Sequence, residues 1–534
     1  MKWKTLVLAV ALLGLLALPS VALADGEPGG RIDTSVQTVL DATGDNVAIP
    51  VIVNAPGDLA DVTATIPLGV DITQLPLVGS LAAYLTPDEI AALGNASFVD
   101  DIFADNPVHG FDYSSSMDIT NLTIGLGSVR SPSSGGPAGK GVGVAIVDSG
   151  VATNTDLAAS RIVGWKDFVN GQALPYDDAG HGTFVAGLIA GDGTASLPLE
   201  KGGYATMQFR GVAPAANIIA IKVLDEVGQG RTSAVVAGIA WAIAHKDQYN
   251  IRVLNLSIGG DPVGSFQVDP VDQAVEAAWQ NGITVVCAAG NEGDFGAGGI
   301  LSPGNDPLAI TVGATDTRQT ADTRDDVVAS YSSVGPTQFD EVAKPDLVAP
   351  GNRLVSLRTP GSYIDTNFPE NTIPIINYAP TAPTTMSSNY LMLSGTSTSA
   401  PVVAGAAALM IGADPRLTPN DVKVRLMSTA DRVAGASQFQ QGAGTLDVPG
   451  ALASRQHSWG TAYSASVGDG RRYLSNGVYN QWEQRAWQKY GWTKYKWTKY
   501  KWTDIAWTKY KWTKYKWTEL DWATYNWTTL IQGQ

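Results

Sequence analysis

The stretch "VGVAIVDSG" (residues 142–150) drives an unbroken apolar run into a single carboxylate, Asp148. A strand with one wet face alternates polar and apolar side chains, whereas a continuous β-branched run suits a strand covered on both faces. The same pattern recurs in "NIIAIKVL" (217–224), "RVLNLSIGG" (252–260), "GITVVCAAG" (282–290) and "LAITVGA" (308–314). Between these runs, "TSAVVAGIAWAIAHK" and "VDQAVEAAWQNG" have helical spacing. Strands alternating with helices predict an α/β fold, a mainly parallel β-sheet sandwiched by helices. In such a sheet the ligand crevice lies beyond the carboxyl ends of the strands, so the residues that end each run are the ones to inspect.

The 534-residue chain is too long for one ordinary domain. Residues 1–24, "MKWKTLVLAVALLGLLALPSVALA", have the charged start, apolar middle and small-residue end of a secretory signal, which predicts a secreted, extracellular protein. No later run reads as long enough to span a bilayer, so no transmembrane segment is expected after signal cleavage. The one cysteine, Cys287, sits inside a predicted buried strand, which excludes an internal disulfide. Residues 25–110 form a small α+β module: "VAIPVIVNA" reads as a strand and "LTPDEIAALG" as a helix, with Thr86 and Glu89 as a capping box. Residues 111–140 read as linker, 141–455 as the main domain and 456–480 as a second linker. In the tail, 481–534, Trp recurs every five residues from Trp482 to Trp527, a period that fits neither helix nor strand. That tail carries ten basic and four acidic side chains, +6, against −21 for the remainder and −15 overall. An acidic body argues against a nucleic-acid partner, and the basic aromatic tail suits a cell wall, a polysaccharide or an anionic surface.

"SGTSTSAPVV" (394–403) offers five hydroxyls, from Ser394, Thr396, Ser397, Thr398 and Ser399, each inert without a base beside it. Of four histidines, His245 ends a helix, and His109 and His457 lie in junction segments. His181 is flanked by Gly180 and Gly182 and followed by an apolar helix. Asp148, at the end of a buried strand, needs a hydrogen-bond donor, and an imidazole N–H would serve. "VVCAAGNEG" presents Asn291 at the end of another strand, after a glycine that also reads as a turn signal.

"AIVDSGV", "GHGTFVAG", "AAGNEG" and "GTSTSAP", in that order, resemble the Asp, His, Asn and Ser signatures of the subtilisin-like serine proteases. The resemblance runs from about Gly141 to Ala451 and includes "KPDLVAPG" (344–351). It implies a serine endopeptidase with Asp148, His181 and Ser397 as its triad and Asn291 with the Ser397 N–H as oxyanion hole. It further implies Ser257 and Gly259 as main-chain contacts to protein and peptide substrates, with Ala288 and Gly290 near the pocket for the residue preceding the cut bond. No cofactor is required for such chemistry; structural calcium is usual in the family, and no ligand set is matched here. Residues 25–110 resemble the family's propeptide, an intramolecular inhibitor and folding template removed by a cut expected between Asn106 and Ser134. Three departures stand out: Phe184 where a second His is common, Thr398 and Ser399 after the serine, and a Pro- and Asn-rich stretch at 356–392, read as a surface insertion. The competing reading is a cell-surface or polysaccharide-binding protein whose Trp-rich tail carries the main role. An α/β-hydrolase is excluded because Gly-x-Ser-x-Gly is missing.

Overall fold

A computed structural model describes residues 31–464, except 44–46, 68, 111–122, 127–136, 197–207, 321, 376–377, 379–385 and 459. The expected signal and the Trp-rich tail lie outside the described residues.

The main body is built on β1 (Gly143–Asp148), β2 (Ile162–Asp167), β3 (Asn217–Lys222), β4 (Ile251–Leu256), β5 (Thr284–Ala288), β6 (Ile310–Asp316), β7 (Val327–Val328) and β8 (Leu347–Pro350). The sheet order is β7-β6-β5-β4-β1-β3-β2, with β8 also on β6, and every pairing is parallel except β6 with β7. Helices α1 (His181–Ala190), α2 (Thr232–Ala244), α3 (Pro270–Gln280), α4 (Thr396–Ala413) and α5 (Pro419–Thr429) pack around it. The residues of β1, β5 and β8 are all buried, as the continuous apolar runs required. Burial in β5 pushes the Cys287 thiol well above its ordinary range, consistent with an inert packing residue.

Helix α4 is long and apolar enough to cross a membrane by length and composition, contrary to the sequence reading, but 89% of it is buried inside the body. Two further expectations are corrected. Strand Leu354–Leu357, strand Thr372–Pro374 and strand Met386–Leu393 form a three-stranded antiparallel sheet. Tyr390 is fully buried there, so the ends of the supposed surface insertion are core. The body also continues past 455. Gln456 O accepts from Arg425 Nε at 2.8 Å, Ser458 N donates to Asp421 at 2.9 Å, and Ala462 N donates to Asn420 at 2.8 Å. Ser464 Oγ donates to Asp346, whose other oxygen holds Lys344. The first part of the expected linker is thus a strap across α5.

The N-terminal module is a five-stranded sheet in the order Arg31–Ile32, Asp101–Ala104, Ile49–Asn54, Ser80–Leu85, Ile72–Leu75. The helix Pro87–Gly94 has the expected capping box, with Thr86 N donating to Glu89 at 2.7 Å. Strand alternation explains how it docks: Val51 and Val53 join the module's own core, while Ile52, Leu75, Val78 and Ala82 belong to the body's core. Burying a side chain of Ile or Leu size stabilises such a contact by about 1.5–3 kcal/mol. Asp105 and Asn106 then cap α2, accepting from the N–H groups of Ser233 (2.9 Å) and Thr232 (3.1 Å). The module's last strand, Pro107–Gly110, lies antiparallel between Gln229–Arg231 and Ile258–Gly259 of the body.

Candidate active site

Asp148 ends β1 and His181 begins α1, so the fold brings them together from 33 residues apart. His181 Nδ1 lies 2.8 Å from Asp148 Oδ1, which also accepts from Ser149 N at 2.7 Å. The helix approaches this closely because residue 182 is glycine: a Cβ there would meet Gly150 O at 2.1 Å. Asp177 holds the first turn of α1, accepting from Thr183 N at 2.7 Å and Gly180 N at 2.7 Å. Burial pulls the His181 imidazole down, but the charge and hydrogen bond of Asp148, with Asp177 behind, leave it above its ordinary value of 6.5.

β4 is the neighbour of β1, with Asn255 paired to Ile146, so Ser257 comes off its strand beside Asp148. Ser257 Oγ donates to Ser397 O at 2.7 Å and accepts from Asn255 Nδ2 at 2.9 Å. That bond has a sequence cause. The sequence suggests that Pro401 fits the first turn of its helix; it is the sixth residue of α4 and has no N–H to offer the carbonyl four residues back. Ser257 satisfies that carbonyl instead.

The five hydroxyls divide clearly. Ser394 Oγ accepts from Arg353 N, and Thr396 Oγ1 binds Gly290 N and Asn291 Oδ1. Thr398 Oγ1 donates to Gly351 O and Ser399 Oγ to Ala349 O. Ser397 Oγ is buried and has no hydrogen-bond partner among the described residues. A buried hydroxyl left in this state costs stability and calls for an explanation.

Asn291 follows the end of β5, and its Oδ1 accepts from Thr396 N at 2.9 Å, which turns the amide Nδ2 the other way. A Cβ placed on Gly395 would lie 3.2 Å from that Nδ2 and 3.0 Å from Ser397 Oγ, so the two atoms border one small space. Gly395 itself has φ +154°. Gly290 has φ +106° and its N–H is held by Thr396 Oγ1 at 3.0 Å. Ala288 is the buried last residue of β5. Gly259 pairs with His109 of the chain's own N-terminal module, and Ser257 is fully buried. Sequence reasoning missed three supports: Thr396 as the tie for Asn291, Asn255 behind Ser257, and Gln229–Arg231 as a second edge. Pro401, four residues after Ser397, was the available signal for Ser257.

Residues 139–444 match the subtilase family, peptidase family S8. The chain is 40% identical to serine protease AprX of Bacillus subtilis over 321 residues, 58% of this chain and 67% of that protein. It is 36% identical to subtilisin DY of Bacillus licheniformis over 319 residues, 59% of this chain and 92% of that one. Fervidolysin of Fervidobacterium pennivorans, a keratinolytic enzyme related to subtilisin, shares the fold at a TM-score of 0.58 and 20% identity, covering 80% of this chain and 63% of its own. The fold is that of a subtilisin-like enzyme. The chain belongs to the subtilase family and is a serine endopeptidase. Subtilases need no cofactor for catalysis. Among the described residues no three His, Cys, Asp or Glu side chains form a metal-ligand set.

Proposed function

We propose that Asp148, His181 and Ser397 form the catalytic triad of a secreted endopeptidase, matured by removal of its N-terminal module. His181 Nε2 takes the Ser397 proton as Oγ attacks a peptide carbonyl, then delivers it to the leaving amine. Asp148 fixes the tautomer through Nδ1 and stabilises the imidazolium. The Asn291 amide and the Ser397 N–H receive the oxyanion. One such donor is worth about 2.7–4 kcal/mol, a figure measured on subtilisin, a relative of this chain. Water then hydrolyses the acyl-enzyme by the reverse proton path.

The observation that carries this reading is the lone Ser397 Oγ. It is the one hydroxyl of its segment without a partner among the described residues, and it borders the same space as Asn291 Nδ2. Residues 1–24 act as the export signal, the 25–110 module as the intramolecular inhibitor, and the Trp-rich tail as an appendage for a cell wall, polysaccharide or anionic surface. Protein hydrolysis by wild type and by Ser397→Ala provides the test. The wild type matures and cleaves casein; the variant stays at precursor mass and loses on the order of 10⁶-fold in kcat. A variant as active as wild type would remove Ser397 from this role.

A further inference from the structure

We propose that Lys423 is a built-in cation: its ammonium fills a cage of five oxygens that, once emptied, takes a free monovalent ion of ammonium size. The inference goes beyond the peptidase reading and does not depend on it. Lys423, from α5, and Lys344, just before β8, are both fully buried. Lys423 Nζ lies 2.8 Å from Pro307 O, 3.1 Å from Leu308 O, 2.9 Å from Ala309 O, 2.9 Å from Ser464 Oγ and 3.4 Å from Asp346 Oδ1. The Trp279 ring covers a further side, its centroid 6.0 Å from the nitrogen.

An ammonium carries three N–H groups, fewer than the oxygens gathered around this one. Directional hydrogen bonds alone do not account for the set, whereas a compact point charge attracts every oxygen at once, as a bound ion does. Spacing decides which ion. Calcium draws its oxygens to about 2.3–2.6 Å and magnesium to about 2.0–2.1 Å. Here the nearest oxygen stands at 2.8 Å, so the cage suits potassium or ammonium and is too wide for either divalent ion. The three successive carbonyls belong to a turn that Asp306 holds, its Oδ1 accepting from Leu308 N at 2.7 Å and Ala309 N at 2.9 Å.

Charge points the same way. Asp306 and Asp346 are buried, and each lies in the field of both lysines. Lys344 Nζ is held at 2.8 Å by Asp346 Oδ2 and at 2.9 Å by Ala309 O. Burial pulls the Lys423 ammonium down to about 7, with Asp346 opposing, so the surrounding oxygens must offset a real desolvation cost. Without Lys423, two carboxylates would face Lys344 alone, leaving a negative excess around an empty shell. The cage also joins three segments: the 302–309 loop, whose Ser302 pairs with Gly260, the approach to β8, and the strap through Ser464. Lys423 thus ties loops together as a structural metal ion would.

Thermal unfolding of the full chain tests this, at pH 7 in potassium chloride against choline chloride of equal ionic strength. A Ser397→Ala background keeps self-digestion out of the melt. Lys423→Met keeps most of the stem and deletes the ammonium. It is expected to lose several degrees of Tm in choline and to regain about half or more of that in potassium, while the parent chain melts alike in both. Lys344→Met, whose ammonium has two oxygen partners among the described residues, is expected to be destabilised equally in both salts. If Lys423→Met does not fold in choline, recovery of folded chain from potassium is the supporting result. Equal Tm for Lys423→Met in the two salts, or failure to fold in both, would overturn the proposal.

Discussion

In the proposed mechanism His181 sets the pH response of the site. A general base must be neutral, and the Asp148 carboxylate holds this imidazole above 6.5. The acid limb of kcat/KM for the mature enzyme is therefore expected to turn over above pH 6.5. In Asp148→Asn it should move to lower pH while kcat falls on the order of 10⁴-fold. The sign for stability follows from the same shift: a raised folded value stabilises the fold fully below about 6.5 and that contribution is lost as pH rises through it. A pH–rate profile of both forms checks the point. Gly395 makes a second prediction at this scale. Its φ of +154° is a region closed to most side chains, and a methyl would occupy the space beside Ser397 Oγ and Asn291 Nδ2. Gly395→Ala should cost about 1–3 kcal/mol in urea unfolding and abolish most activity. The residue types of the site were legible from the four motifs. The partner of each hydroxyl was not, because those partners come from segments up to 106 positions away in sequence.

Helix α4 carries its own repair. Pro401 deletes one hydrogen bond, and Ser257, just beyond the end of β4, replaces it across 140 residues of sequence. Ser257→Ala leaves the Ser397 carbonyl buried without that donor. It is expected to lower unfolding stability by about 1–3 kcal/mol and to reduce kcat more than it raises KM, since the serine's own turn loosens. An unchanged kcat would assign Ser257 a packing role only. At this scale the sequence foretold the central strands, because burial on both faces writes continuous apolar runs. It missed β2, whose mixed burial leaves no such run. It also missed strand Met386–Leu393, where Asn, Ser and an exposed Met386 mask a segment that is buried from Tyr390 onward.

At the scale of the molecule, two short segments tie the described body together. Asp105 to Gly110 joins the N-terminal module to the body strands Gln229–Arg231 and Ile258–Gly259, and Gln456, Ser458, Ala462 and Ser464 strap α5 and reach Asp346. The sequence boundary at 455 failed because the strap is polar and reads as a linker, whereas its hold depends on backbone groups meeting Asp421 and Asn420. Truncation after Ser464 should leave thermal stability near that of the full chain, while truncation after Ser454 should lower Tm by several degrees by removing those bonds. Deletion after Tyr479 should keep peptidase activity and reduce retention on cell walls or polysaccharide; unchanged retention would end the targeting role of the tail.

The most direct measurement maps a fluorophosphonate label on matured wild-type enzyme by peptide mass spectrometry, with His181→Ala alongside. The account predicts a single adduct on Ser397 in the wild type and almost none without the imidazole. A label on Ser394, Thr396, Thr398 or Ser399, or equal labelling of Ser397 in the absence of His181, would contradict it.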